Sequence, residues 1–227
     1  MQNDVVQAIR TGDVAALNRL LSADPTLVHA RLDGERTLLH VATDWPGHFP
    51  NVRETISTLV AHGADVSARF QGRHAESPLH WAASSDDLDA LDTLLDHGAD
   101  IEAPGAVIGE GTPLADAVAF ATWRAARRLV ERGARATIWQ AAALGMMDRV
   151  EEHLAGNPAP DVVTNAFWGA CHGGQLIAAQ YLLRHGANLN WVGHDHLTPL
   201  DAAARNGNSE LVAWLRSQGA VSTKGLA

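Results

Sequence analysis

His62-Gly63-Ala64-Asp65, His97-Gly98-Ala99-Asp100, Arg132-Gly133-Ala134-Arg135, His185-Gly186-Ala187-Asn188 and Gln218-Gly219-Ala220-Val221 are five versions of one tetrapeptide, each closing an apolar stretch. Their glycines are spaced by 35, 35, 53 and 33 residues. A period in the low-to-middle thirties is the mark of stacked helix pairs, in which each repeat buries its apolar face only against its neighbours. The glycine supplies the left-handed residue that ends a helix, a conformation open to it because it has no Cβ.

A second marker keeps step with the first. Thr37-Leu38-Leu39-His40, Ser77-Pro78-Leu79-His80, Thr112-Pro113-Leu114-Ala115 and Thr198-Pro199-Leu200-Asp201 each open a helical stretch. The Thr or Ser caps the helix, and the following Pro fits its first turn, where the missing N–H would be unpaired anyway. Together the T-P-L-H opening and the later G-A-D close resemble the ankyrin repeat over nearly the whole chain, of the free-standing bacterial type. The resemblance implies an all-α solenoid of about seven helix-turn-helix repeats with hairpin-like turns, some fourteen helices and almost no strand. It also implies that the histidines of the T-P-L-H slot tie neighbouring turns together.

The repeats divide one domain, 1–227, into a cap at 1–34 and repeats at about 35–68, 69–103, 104–136, 137–161, 162–190 and 191–221, the last serving as the C-terminal cap. The repeat at 35–68 carries an insertion, Asp44-Trp45-Pro46-Gly47-His48-Phe49-Pro50. The 53-residue spacing reflects a shortened fifth repeat, with a first helix near Trp139–Gly145 and a second near Val150–Leu154 but no T-P-L opening.

Composition narrows the class. The chain of 227 residues is 46% hydrophobic and 19% charged, enough apolar material for a substantial core and too much for disorder. Its formal charge of −9 argues against nucleic acid or an anionic membrane as partner. One cysteine, Cys171, allows no internal disulfide and suits a reducing compartment. Met1-Gln2-Asn3-Asp4 lacks a basic region and an apolar core, and no apolar run reaches the roughly 18–20 residues of a membrane span. The expectation is a cytoplasmic protein without a cofactor or resident metal.

In ankyrin proteins the first helix and the hairpin tip face a concave groove, and the resemblance carries that role to matching positions here. The pairs following the small-residue stretch are Asp44-Trp45, Ser84-Ser85, Ala119-Phe120, Ala143-Leu144, Cys171-His172 and Arg205-Asn206. The insertion adds His48, and the hairpin tips add Arg73, His74, Glu76, His194 and Asp195. The acidic run Asp86-Asp87-Leu88-Asp89 reads as a cap for the second helix of its repeat, with Asp86 also a candidate for the groove.

One register is odder. The residue after the T-P-L-H slot is Val41, Trp81, Asp116, Gln140, Trp168 and Ala202 in successive repeats, so a carboxylate stands at 116 where an apolar residue belongs. Such a group would be desolvated, and its pKa would rise. It either bonds a neighbouring turn or acts as a functional acid beside Trp81.

Two functional readings follow. In the first, the chain binds a protein partner that carries a basic or mixed-charge patch, anchored by Trp45, Phe120 and His172. In the second, the same Trp/Asp/His-lined groove holds a cationic or aromatic small molecule, or performs cofactor-independent acid–base chemistry with Asp44, Asp116 or His172 moving protons. Three further patterns carry little. Cys171 and His172 are adjacent on a helix and do not face each other. His194-Asp195-His196 lacks a third ligand at recognisable spacing. Gly105, Gly109 and Gly111 lack the Lys-Ser/Thr of a phosphate loop.

Overall fold

A computed structural model describes residues 2–225. They contain fourteen α-helices and no strand beyond one isolated bridge between Leu32 and Arg36. None of the helices is long and apolar enough to cross a membrane. The chain divides into two compact units, with the boundary between Ala134 and Arg135.

The first unit holds α1 (Gln2–Thr11), α2 (Val14–Ala23), α3 (Leu38–Ala42), α4 (Val52–Ala61), α5 (Pro78–Ser84), α6 (Leu88–Asp96), α7 (Pro113–Ala119) and α8 (Trp123–Glu131). The first helices of successive pairs stack as α1, α3, α5 and α7, and the second helices as α2, α4, α6 and α8. Leucine and isoleucine at Ile9, Leu21, Leu39, Ile56, Leu79, Leu91 and Leu114 fill the space between the layers, all fully buried. Alanines at 82, 83, 117, 125 and 126 are equally buried and let the helices approach closely.

The two sequence markers act as their chemistry requires. Gly63, Gly98 and Gly133 take φ of +100°, +88° and +102°. The next amide reaches back over the last turn, as where Ala64 N–H donates to Leu59 O at 3.0 Å, closing a Schellman-type end. At the other end His80 Nδ1 faces the Ser77 amide at 3.1 Å and hydroxyl at 2.9 Å, while Nε2 faces Gly111 O at 3.3 Å. A carbonyl can only accept, so Nε2 carries the hydrogen and Nδ1 receives the Ser77 N–H. His40 repeats this with Thr37 and, across the repeat, Glu76 O at 3.2 Å. The T-P-L-H histidines therefore do tie neighbouring turns together. Burial lowers both pKa values to about 4, which keeps the rings neutral.

The second unit holds α9 (Ile138–Leu144), α10 (Met147–Ala155), α11 (Pro160–His172), α12 (Leu176–Arg184), α13 (Pro199–Arg205) and α14 (Ser209–Ser217). Helix α11 packs on both α9 and α13 and carries the buried Phe167 and Trp168. The shortened repeat replaces the missing T-P-L-H by Thr137-Ile138-Trp139-Gln140. Its Thr137 hydroxyl receives the Gln140 amide, and the Gln140 side chain receives the Thr137 amide at 2.7 Å. This is a capping box of the T-x-x-Q kind, which can be read in the sequence and takes over the capping half of the histidine's work.

Candidate functional site

In the first unit, the insertion after α3 is held in place from three sides. Asn51 Nδ2 donates to Gly12 O at 2.9 Å. Pro50 lies so close to Gly12 that a Cβ there would come within 2.2 Å of its carbonyl oxygen. On the next repeat, His48 N–H donates to Asp87 Oδ2 at 2.6 Å and the His48 ring meets Ser85 O at 3.2 Å. Asp44 anchors the start of the loop through Arg36 at 3.0 Å and Arg10 at 3.6 Å. Thus fixed, the insertion presents Trp45 to solvent at 81% exposure.

Trp45 stands at the rim of a cleft of about 470 Å³ lined by Thr43, Asp44, Glu76, Trp81, Ser84, Ser85, Val107 and Phe120. That volume falls within the range of about 300–1,000 Å³ common for ligand sites. Phe120, which caps the end of α7, is 49% exposed on the rim. Trp81 is half-buried and steadied by an edge contact with His40 at 4.9 Å and a tilted contact with Phe70 at 5.5 Å between ring centroids. The Trp81 side chain hydrogen-bonds Glu76, partly offsetting the upward pKa shift that burial gives this carboxyl.

Asp116 lies behind this wall, one helical turn before Phe120, and is fully buried. Its Oδ1 accepts the Val107 amide at 3.1 Å, while Oδ2 has no hydrogen-bond partner. Burial first, and the neighbouring Glu76 second, raise its pKa from the ordinary 3.8 to about 7, against a smaller downward pull from the Val107 and Ile108 amides. Among the described residues, neither Glu76 nor Asp116 forms an ion pair with a lysine or arginine. Asp44, by contrast, is neutralised by its two arginines.

The candidate residues therefore sort by place. Asp44, Trp45, Trp81, Ser84, Ser85 and Phe120 share the cleft, with His48 bracing its rim and Asp116 beneath. Arg73 and His74 instead line a separate depression of about 330 Å³ with Arg69, Pro104 and Glu110. Asp86 turns away. Its Oδ1 caps the start of α8 through the Ala125 amide at 2.7 Å, whereas Asp87 caps α6 through Ala90 at 3.1 Å. The acidic run thus serves two helices rather than one, and Asp89 pairs with Arg53 at 2.6 Å. Val107 and Thr43 also line the cleft and were not singled out by sequence. Val107 sits in the long approach to α7, where no periodic pattern marks it.

In the second unit the matching register is covered. His172 is 2% exposed and stacks on Trp168 at 5.3 Å between centroids. The side chains of Asn206 and Arg205, from the following repeat, lie over it at 3.3 and 3.4 Å from Nδ1. His194 is ringed by Trp168, Trp139 and Trp191 at 4.9, 5.9 and 6.0 Å, and its Nε2 meets Asn165 Oδ1 at 3.0 Å. Burial against these indoles lowers the pKa of His194. Asp195 is exposed and held by Arg205 at 2.6 Å, which keeps its carboxyl below the usual range. Cys171 is buried, and desolvation pushes its thiol far upward, away from nucleophilic use.

Similarity to known proteins agrees with this architecture. The chain is 39% identical over 86 residues to the serine/threonine-protein kinase VIK of Arabidopsis thaliana, covering 38% of this chain and 18% of that protein. It is 29% identical over 171 residues to the ankyrin repeat and KH domain-containing protein mask-1 of Caenorhabditis elegans, covering 74% of this chain and 6% of that one. It therefore spans less than a fifth of either relative, and neither is bacterial or free-standing, so that part of the resemblance finds no support. The crystal structure of the human ASB11 ankyrin repeat domain superposes with a TM-score of 0.57 at 18% identity, over 93% of this chain and 96% of that one. Ankyrin-repeat domains generally mediate protein–protein interaction. The family description "Ankyrin repeats (3 copies)" matches residues 5–104 and 138–224, most of both units, and the chain belongs to the ankyrin-repeat family.

Proposed function

We propose that the protein is a cytoplasmic interaction module and that the cleft of its first unit is where a protein partner docks. The observation that carries this reading is the pair of large apolar rings held in water at the rim, Trp45 at 81% and Phe120 at 49% exposure, on a loop and a helix end that are otherwise firmly anchored. Exposed aromatic side chains on a fixed frame lose little entropy on binding and carry a disproportionate share of interface energy. The Glu76 carboxyl inside, with the chain's charge of −9, suits a partner surface that is basic or mixed in charge.

Quantitative affinity capture from cell extract tests this. The bait is compared with a Trp45→Ala/Phe120→Ala variant and, as control, an Asp195→Asn variant, all checked for cooperative unfolding. A partner retained by the bait and the control but lost from the double variant supports the cleft. A partner retained equally by all three overturns it.

A further inference from the structure

We propose, on the reading that the cleft is a docking site, that it takes an arginine side chain from an extended segment of the partner, with the guanidinium between the rings of Trp45, Trp81 and Phe120 and its fork on Glu76. Three features of the cleft converge on this chemistry. Three aromatic residues from three successive repeats, Trp45, Trp81 and Phe120, line it, and a planar guanidinium stacks on such rings while a compact ammonium does so less well. It holds a carboxylate at Glu76 with no ion-pair partner among the described residues, in a protein whose other cleft carboxylate, Asp44, is already neutralised twice. Behind the wall, Asp116 is fully buried and keeps one oxygen without any hydrogen-bond partner.

A buried carboxyl oxygen without a hydrogen-bond partner, beside a second carboxyl, is costly and marks this side of the cleft as rich in carboxyl groups. A cation entering the cleft meets the Glu76 carboxyl, and the surrounding rings, by displacing water on binding, strengthen that attraction relative to open solvent. The second depression does not compete for this cargo, since Arg69 and Arg73 line it. An extended segment fits better than a free small molecule because the aromatic rim is open and exposed, offering surface to the residues on either side of the arginine.

The test is a titration of the full chain with three synthetic pentapeptides, glycine-flanked arginine, lysine and citrulline, followed by the indole N–H resonances of the seven tryptophans. The arginine peptide is expected to shift the Trp45 and Trp81 signals, and the lysine peptide to bind severalfold more weakly. The citrulline peptide, of the same shape without charge, is expected to bind at least tenfold more weakly. Glu76→Gln should weaken the arginine peptide at least fivefold, and the exposed Trp45→Ala, which leaves the core intact, should do the same if Glu76→Gln fails to fold. Equal binding of citrulline and arginine, or shifts confined to Trp139 and Trp191, overturns the proposal. Agmatine binding as tightly as the arginine peptide overturns the choice of a partner segment. If arginine fails here while partner capture still depends on Trp45 and Phe120, the docking site stands and only its cargo is wrong.

Discussion

Replacing Asp116 by asparagine removes one titrating group and almost no volume, so its effect on stability should appear as a pH dependence. The carboxyl is buried, with one oxygen on the Val107 amide and the other unpartnered, and its pKa stands near 7 instead of 3.8. A folded-state pKa above the unfolded value means that the native protein holds a proton the unfolded chain has released. Stability therefore falls as pH rises from about 4 to about 7 and is flat above that. At 1.36 kcal/mol per unit, the wild type loses about 2–3 kcal/mol between pH 5 and pH 8 through this group alone. The asparagine variant loses none of it. Urea unfolding of both proteins at the two pH values, followed by circular dichroism, gives four free energies. In their double difference, the packing change and every other titrating group cancel to first order. At pH 8 the variant should be the more stable protein, less the cost of a buried amide N–H₂ with no acceptor, about 1–3 kcal/mol. A gap between the two proteins that is the same at pH 5 and pH 8 would mean that Asp116 titrates as in water and that its burial carries no such cost.

Three other outcomes follow. His80 is held neutral with a pKa near 4, below its ordinary 6.5, so its contribution is full above pH 6.5 and is lost as pH falls towards 4; a His80→Gln variant, which keeps a capping side chain as Gln140 does, should lose about 2 kcal/mol less than wild type between pH 7 and pH 5 in urea titrations. Asp92→Ala strips both Arg128 and Arg132 of a partner whose side chain is only 12% exposed and should cost about 1–3 kcal/mol, whereas Asp89→Ala, which loses only the exposed pair with Arg53 and a first-turn charge, should cost less than about 1 kcal/mol by the same urea unfolding. Trp45→Ala should change stability by less than about 0.5 kcal/mol, because the ring is 81% exposed, so any loss of partner binding in that variant belongs to the surface.

The fold was legible because its markers are local and physical. A glycine at φ near +90° and a capped proline turn are each written in three or four residues, and their recurrence sets the helix pairs. The cleft was legible in part. The pairs at 44–45 and 84–85 converge with Phe120 because three successive repeats present the same register to the same side, and the apolar slot at 116 flagged the buried acid. The same register failed at 171–172 for a reason that lies in the next repeat. Asn206 and Arg205 fold over His172, and no spacing within its own repeat records that. Asp86 misled for a similar reason, because its side chain caps a helix 39 residues further along instead of its own. Covering and capping across repeats are tertiary effects, and a repeat pattern read one period at a time does not contain them.

On the proposed function, partner affinity resides in the cleft of the first unit. The most direct measurement is the dissociation constant of the captured partner for wild type, for Trp45→Ala/Phe120→Ala and for Asp195→Asn, by calorimetry on proteins with matched unfolding midpoints. Loss of two rim aromatics should weaken binding by roughly 30-fold or more, the equivalent of about 2 kcal/mol, while Asp195→Asn leaves it within twofold. Equal affinities for wild type and the rim variant would contradict the account.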